Sequence, residues 1–268
     1  MTTFVHITDL HVSAPEAADP GLHSDTPATL ERMVGIVNAM TPRPDFVVAS
    51  GDLTNHGDEA SYRCVKALLD RVEVPLVLAL GNHDRREGFN AVFGAGASDA
   101  AFFHAQRLGG LHVITLDTGV PGKVAGAITD AQFDFLAAEM DRHAELPKLI
   151  VMHHPPRVDP DGLPWGTIDM ASTERLAEVL RGRDVIGILS GHIHIDQVTH
   201  WHGIPIVVAN GQHSTVDLLE RADLRIVEGT GFALCTHRAS GLSVTFVPLT
   251  PDAREITRID RARLLAFS

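Results

Sequence analysis

Short apolar runs bounded by turn residues alternate along the chain with stretches whose apolar positions recur every three or four residues. The run Thr3-Phe4-Val5-His6-Ile7 reads as a first strand. Thr26-Pro27 resembles an N-cap followed by proline at the first helical position. Leu30, Met33, Val34 and Val37 then share one helical face until Thr41-Pro42 ends it. Strands are predicted over 45–49, 75–80, 111–116, 148–152 and 184–189. Tyr62, Val65, Leu68 and Leu69 mark a second helix, and Leu176, Val179 and Leu180 another. Thr129 and Gln132 have capping-box spacing ahead of Phe133, Leu136 and Met140. From Ile204 onward the pattern is mostly strand, over 205–209, 232–235 and 242–247. Alternation of this kind predicts a layered α/β fold. The stretches 12–25, 85–107, 119–127, 157–171 and 211–230 show no clear period and read as long loops, where binding residues concentrate. No internal repeat or Pro/Ser linker interrupts the chain. Residues 1–268 are therefore expected to form one domain that includes the strand-rich segment 204–268.

Composition narrows the function classes. An apolar fraction of 44% over 268 residues supports a sizeable core and excludes a disordered or fibrous chain. Phe46-Val47-Val48-Ala49 is among the longest apolar runs, far short of the roughly 20 residues that span a bilayer. The first strand begins too near Met1 to leave room for a secretory leader, so a cytoplasmic location without a membrane partner is expected. Two cysteines, Cys64 and Cys235, in apolar surroundings agree with that compartment better than with a disulfide framework. Acidic residues outnumber basic ones 34 to 22, which argues against a nucleic-acid polymer as partner. Against this acidic background stand 16 histidines, many directly after apolar runs.

Five segments fall at predicted strand ends: Asp9-Leu10-His11, Gly51-Asp52, Gly81-Asn82-His83-Asp84, His153-His154-Pro155 and Gly191-His192-Ile193-His194. In a β-α-β chain, residues just past the carboxyl ends of strands converge on one crevice. Asp9 and His11 are two apart, as are His192 and His194, and in extended backbone that spacing sends both side chains the same way. Imidazole, carboxylate and amide oxygen suit a divalent transition metal, in more ligands than one ion needs. One Asp-x-His or Gly-Asp at a strand end is ordinarily a cap or a turn. Five such segments in order are not.

In this order the segments resemble the motifs D-x-H, G-D, G-N-H-D/E, H and G-H-x-H of the calcineurin-like metallophosphoesterases, over residues 4 to about 210. Gly-Asp-Leu-Thr at 51–54, Met-His-His-Pro-Pro at 152–156 and an Asp-Leu in the 211–220 loop look most like the bacterial class III cyclic nucleotide phosphodiesterases and glycerophosphodiesterases. The resemblance implies a four-layer α/β/β/α sandwich: two mixed β-sheets packed face to face, helices outside, and a dinuclear site between the sheets. Asp9, His11, Asp52 and His194 would hold one ion. Asp52, Asn82, His153 and His192 would hold the other, with Asp52 bridging. Divalent or mixed-valence ions are implied, Mn or Fe first and Zn or Co as alternatives. Two divalent ions against the carboxylates of Asp9 and Asp52 leave the centre net positive, as an anionic phosphoester requires. His154 before Pro156 meets the same spacing as His153 before Pro155. His153 is preferred because it continues the apolar strand, which leaves His154 either just behind the ligands or at the rim.

His83 is expected to contact the phosphate and protonate the departing oxygen, with Asp84 orienting its imidazole. A plain turn residue is the alternative for Asp84. Asn82, His83 and His213 are the expected substrate contacts. His6 and His112 lie inside strands and read as core or surface. His200 and His202 flank Trp201 in a predicted hairpin, and His56 and His104 are weaker candidates. Trp165 and the proline-rich segment 155–164 are candidates for one wall of the pocket. The implied reaction is hydrolysis of a small phosphodiester, such as a cyclic nucleotide or glycerophosphodiester, by a metal-held hydroxide and without a covalent enzyme intermediate. A phosphomonoesterase or nucleotidase on the same core is the alternative, and a non-catalytic metal-binding scaffold a remote one. Basic residues near the motifs are few beyond Arg85, Arg86 and Arg157, which favours diesters over monoesters. The basic stretch from Arg254 to Arg263 reads as a segment that packs on the domain or joins a homodimer.

Overall fold

The structure, a computed structural model, describes residues 1–268 apart from 18, 20, 23, 221–223 and 250–268. The stretch from Arg254 to Arg263 lies outside the described residues. The first sheet grows from β1 (Thr2–Ile7), α1 (Thr26–Ala39), β2 (Phe46–Ala49), α2 (Glu59–Leu69) and β3 (Leu76–Leu78), whose three strands run parallel. Two late strands, β12 (Gly231–Arg238) and β13 (Gly241–Pro248), extend it antiparallel on the other side of β1. The second sheet contains β4 (His104–Leu108), β5 (Leu111–Thr115), β6 (Lys148–Val151), β7 (Val185–Ser190), β8 (Gln197–Trp201) and β9 (Ile204–Val208), in the order β4-β5-β6-β7-β9-β8. Its parallel crossovers carry α4 (Asp130–Asp141) and α5 (Met170–Leu180). A small pair, β10 (Thr215–Val216) with β11 (Ile226–Val227), stands apart from both. No helix among the described residues is long and apolar enough to cross a membrane.

Strand alternation builds the layers. Phe4, Phe46, Val48, Val113, Leu149, Val151, Leu189 and Ala233 come from both sheets and form one buried cluster, so these faces meet. Val5, Ile7, Val47 and Ala49, one step out of phase, pack instead with Leu30, Met33, Val65 and Leu69 of α1 and α2. Ile114, Ile150 and Ile188 do the same with Leu136, Met140, Leu176 and Leu180 of α4 and α5. Three cores for four layers give the α/β/β/α sandwich that the resemblance implied. His6 and His112 are core residues: His6 Nε2 lies 2.8 Å from Ser50 Oγ, and His112 Nε2 lies 3.0 Å from Glu139.

Three local expectations are corrected. The N-cap of α1 is Asp25, whose carboxylate accepts from Ala28 N at 3.0 Å. Thr26 is already helical, and its hydroxyl donates to the His11 carbonyl at 3.0 Å. At α4, Gln132 is not spent on a capping box, because its amide brackets the backbone N–H and C=O of Asp117 at 2.8 Å each. The stretch 85–107, read as a loop, contains α3 (Arg86–Phe93) and β4. α3 is two turns long and its cap, Arg85, makes no side-chain bond, so little periodicity announces it. β4 is a polar edge strand with one neighbour, which removes the alternation that marks a half-buried strand.

Candidate metal centre

The five predicted segments leave the carboxyl ends of strands from both sheets and meet at one edge of the sandwich. Asp9 N donates to Gly51 O and His11 N to Asp52 O, so the segments after β1 and β2 stay paired beyond the strands. Asp9, His11, Asp52, His192 and His194 all have φ between 45° and 74°, the left-handed region. The Asp-x-His and His-x-His pairs therefore converge through left-handed turns rather than through extended backbone, which corrects the expectation from spacing. Non-glycine residues there cost of order 1–3 kcal/mol each and persist where the surroundings over-determine them, characteristically at functional sites.

Two buried carboxylates form the centre. Asp9 Oδ1 lies 3.2 Å from His194 Nε2 and 3.8 Å from His153 Nε2, and both its oxygens accept from His192 N, at 3.1 and 3.0 Å. Asp52 Oδ1 accepts from His83 N at 2.8 Å. Asp52 Oδ2 sits between His153 Nε2 at 3.2 Å and His11 Nε2 at 3.6 Å, one histidine from each expected ligand set.

Each of four imidazoles has one nitrogen held by an oxygen acceptor. Nδ1 of His11 faces Asn55 Oδ1 at 2.9 Å, Nδ1 of His153 faces Ser50 O at 3.1 Å, and Nδ1 of His194 faces Ser214 O at 3.2 Å. In His192 it is Nε2 that faces a carbonyl, Trp165 O, at 2.7 Å. A carbonyl can only accept, so the proton lies on the nitrogen facing it and the other nitrogen keeps its lone pair. That second nitrogen is buried and without a hydrogen-bond partner in His11 and His153, and Asn82 Oδ1 is a third such orphan. Metal-binding histidines carry this outer hydrogen bond almost without exception, so the donor set fits transition-metal ions.

Charge agrees. Burial opposes ionisation of Asp9 and Asp52, but the facing histidines outweigh it and hold both carboxyls well below the usual range. Burial also opposes a proton on His153, yet Asp52 and Asp9 push it up to about 9, and His194 is raised by the same contest with Asp9. Burial, the larger effect at His11 and His192, lowers them to about 3 and about 4. The centre thus demands positive charge, which cations supply better than protons.

The remaining candidates separate cleanly. Both nitrogens of His154 are engaged, Nδ1 with Thr118 Oγ1 at 2.7 Å and Nε2 with Val124 O at 2.9 Å. His213 lies against His11 and His194, with ring centroids at 4.5 and 5.0 Å. His83 is exposed, and its Nδ1 meets Asn55 O at 3.0 Å. Asp84 does not orient it. The Asp84 carboxylate accepts from Gly81 N, Leu53 N, Thr54 N and Tyr62 OH, at 2.9 to 3.2 Å, and so ties two motif loops together, nearer to the turn role. Sequence reasoning missed Asn55, which serves His11 with its side chain and His83 with its carbonyl; an amide three residues past Asp52 was the available signal.

Close approach explains Gly191. A Cβ there would lie 1.9 Å from Thr8 Oγ1 and 2.3 Å from Asp9 Oδ2. Gly191→Ala is expected to cost about 1–3 kcal/mol through overpacking and to lower bound metal per chain. Gly35→Ala, on the exposed side of α1 with open space around it, should instead stabilise by about 0.5–1 kcal/mol. Thermal unfolding together with elemental analysis of both variants checks the pair; unchanged metal content in Gly191→Ala would refute the first.

A profile of calcineurin-like phosphoesterases matches residues 2–196. The chain belongs to that family. It is therefore a hydrolase of a family that works through dinuclear metal centres, and it carries His/Asp clusters that could hold metal ions. A probable cyclic nucleotide phosphodiesterase of Rhodococcus erythropolis is 36% identical over 219 residues, covering 80% of this chain and 72% of its own length. A cAMP/cGMP dual specificity phosphodiesterase of Mycobacterium tuberculosis is 33% identical over 220 residues, covering 80% and 68%. Among solved structures, a dimetal phosphatase from Danio rerio superposes with a TM-score of 0.66 over 93% of this chain and 99% of its own, at 17% identity, a likeness of fold alone.

Proposed function

We propose that the chain hydrolyses small phosphodiesters, cyclic nucleotides among them, at this carboxylate–histidine centre. The observation that carries the reading is the set of imidazoles whose outer nitrogens are spent on oxygen acceptors around two ionised carboxylates. In this reading Asp9, His11, Asp52 and His194 hold one ion, and Asp52, Asn82, His153 and His192 hold the other, with Mn or Fe as the pair. When bound, the ions supply Lewis acidity toward water and counter-charge for the phosphoryl oxygens. Asn55 O holds the Nδ1 proton of His83, which leaves Nε2 free to face the substrate. Protonated there, His83 gives its proton to the ester oxygen as the P–O bond breaks, and the proton that water loses on joining phosphorus balances it. The names of the relatives and the two unpaired cysteines support a cyclic nucleotide substrate and a cytoplasmic setting.

The cleft beyond His83 favours diesters. It measures about 1180 Å³ and is lined by Asp58, Glu59, Glu87 and Asp99 among others. Of the three arginines near the motifs, Arg86 is spent on Asp117 and Gly119 O, at 2.8 and 2.9 Å. Arg157 is spent on the carbonyls of Pro160 and Gly162, at 2.8 Å each. Arg85 remains, in the lining of the same cleft as those four carboxylates. A monoester dianion finds little cationic support in such a cleft, whereas a diester monoanion needs less. The expected result is a higher kcat/KM for an aryl diester than for the matching aryl monoester at neutral pH, and opening of a cyclic nucleotide without release of inorganic phosphate. One preparation and one metal suffice for the paired assay. A clear monoester preference would overturn the diesterase reading and leave the metal centre standing.

A further inference from the structure

The imidazoles around Asp9 and Asp52 form two groups of touching rings. His11 contacts His83, His194 and His213 at centroid distances of 4.6, 5.2 and 4.5 Å. His192 contacts His153, His154 and Trp165 at 5.2, 4.4 and 5.7 Å. No ring contact among the described residues joins one group to the other. His83 belongs to the first group and Trp165 to the second, with the two carboxylates between them.

Trp165 is seated with care. It occupies a short 3-10 turn, Pro164–Gly166, whose backbone carbonyl fixes the tautomer of His192. Gly166 presses on the 191–194 segment so closely that a Cβ would lie 3.2 Å from Ile193 Cγ2. The turn therefore cannot shift without disturbing a candidate ligand. Its large apolar side chains still do not enter the core: Trp165 is half-buried and Leu163 is 73% exposed. Trp165 is also the one Phe, Tyr or Trp among the described residues in ring contact with an imidazole of the centre. The cleft on the His83 side is lined without any of the three.

We propose that the Trp165 indole is the platform on which the base of a cyclic nucleotide stacks, a specificity-determining contact that sets which way the substrate lies. The inference rests on the phosphodiesterase reading above. Placing the base on Trp165 puts the phosphate at the Asp9–Asp52 centre and directs the leaving oxygen toward His83. The reverse orientation would set the base in a carboxylate-lined cleft with no aromatic partner. Stacking accepts every base because each has a π-face, so adenine and guanine cyclic nucleotides should have similar KM values.

The test compares Trp165→Ala and Trp165→Phe in the metal-loaded enzyme, on a 3′,5′-cyclic purine nucleotide and on the same cyclic ribose phosphate without its base. The expected result is a KM for the nucleotide raised about tenfold or more in Trp165→Ala and largely restored in Trp165→Phe, the size expected of one lost base–aromatic stack. Any loss that Trp165→Ala suffers through its contact with His192 falls on the base-free substrate as well, so the stack is read as the ratio of nucleotide KM to base-free KM, which should rise about tenfold. As an independent readout, Trp201→Phe leaves Trp165 the single tryptophan, and its fluorescence should be quenched by the nucleotide and not by the base-free analogue. If wild type turns over the nucleotide and Trp165→Ala leaves its KM unchanged, or if KM rises equally for both substrates, the stacking role is overturned and the diesterase reading stands. If wild type turns over neither substrate, both fall.

Discussion

Asp52→Asn is expected to abolish turnover and to lower the metal content of an otherwise folded chain. The carboxylate is buried, accepts from His83 N, and presents Oδ2 to His153 and His11 at 3.2 and 3.6 Å. An asparagine keeps the shape and the Oδ1 acceptor but removes the charge that two ions would share. Loss of a partner one hydrogen bond outside a metal site already costs about 10–100-fold, so removing the carboxylate proposed to be shared by both ions should cost more than about 10²-fold in kcat/KM. The apolar clusters of the sandwich do not include Asp52, so the fold survives. A second readout needs no activity. In chelator-treated protein His153 is raised to about 9, held up against burial first by Asp52 and then by Asp9. A raised imidazole stabilises the folded state fully below its unfolded value of about 6.5, and that contribution is lost as pH rises through about 9. The metal-free wild type should therefore lose stability across that alkaline window, and Asp52→Asn should flatten the loss. Full activity, or full metal content, in Asp52→Asn would overturn the dinuclear assignment.

The side chains that cluster here were legible in the sequence: the structure brings Asp9, His11, Asp52, His153, His192 and His194 together, and leaves Asn82 Oδ1 buried without a hydrogen-bond partner. Motif residues sit at strand ends, and strand ends are visible because burial on both faces of the strand writes a near-continuous apolar run into Phe4-Val5-His6-Ile7 and Phe46-Val47-Val48-Ala49. What holds those side chains in place was not legible. The acceptors that fix His153, His192 and His194 are backbone carbonyls of Ser50, Trp165 and Ser214, and a carbonyl carries no sequence identity. Asp84 was misread for a related reason. Adjacency to His83 suggested a partner, but successive residues in a turn diverge, and the carboxylate went instead to Leu53, Thr54 and Tyr62. The choice between His153 and His154 is another case of spacing without geometry: what distinguishes them is Thr118 and Val124 O, which occupy both nitrogens of His154. α3 and β4 escaped because one is too short and the other too polar for periodicity to register.

His83→Ala separates proton donation from charge contact by its dependence on the leaving group. The imidazole is the exposed member of the ring group around His11, with its backbone N–H anchored on Asp52 Oδ1 and Nδ1 anchored on Asn55 O. Two anchors on one side leave Nε2 as the nitrogen that can reach an incoming ester. If it protonates the departing oxygen, its loss should cost about 10²–10⁴ in rate on diesters with alkoxide leaving groups, the range for a positioned general acid. An aryl leaving group departs without that proton, so the same variant should retain most of its rate on an activated aryl diester. Asp84→Asn is the control that follows from the geometry. It loosens the Gly81, Leu53 and Tyr62 ties and should depress both substrate classes alike, together with stability. Equal losses for His83→Ala on both classes would instead make His83 a phosphate contact. In that event the proton for the leaving oxygen must come from solvent: in the proposed reading His11, His153, His192 and His194 would spend their second nitrogen on the ions, both nitrogens of His154 are engaged, and His213 is lowered by burial to about 4.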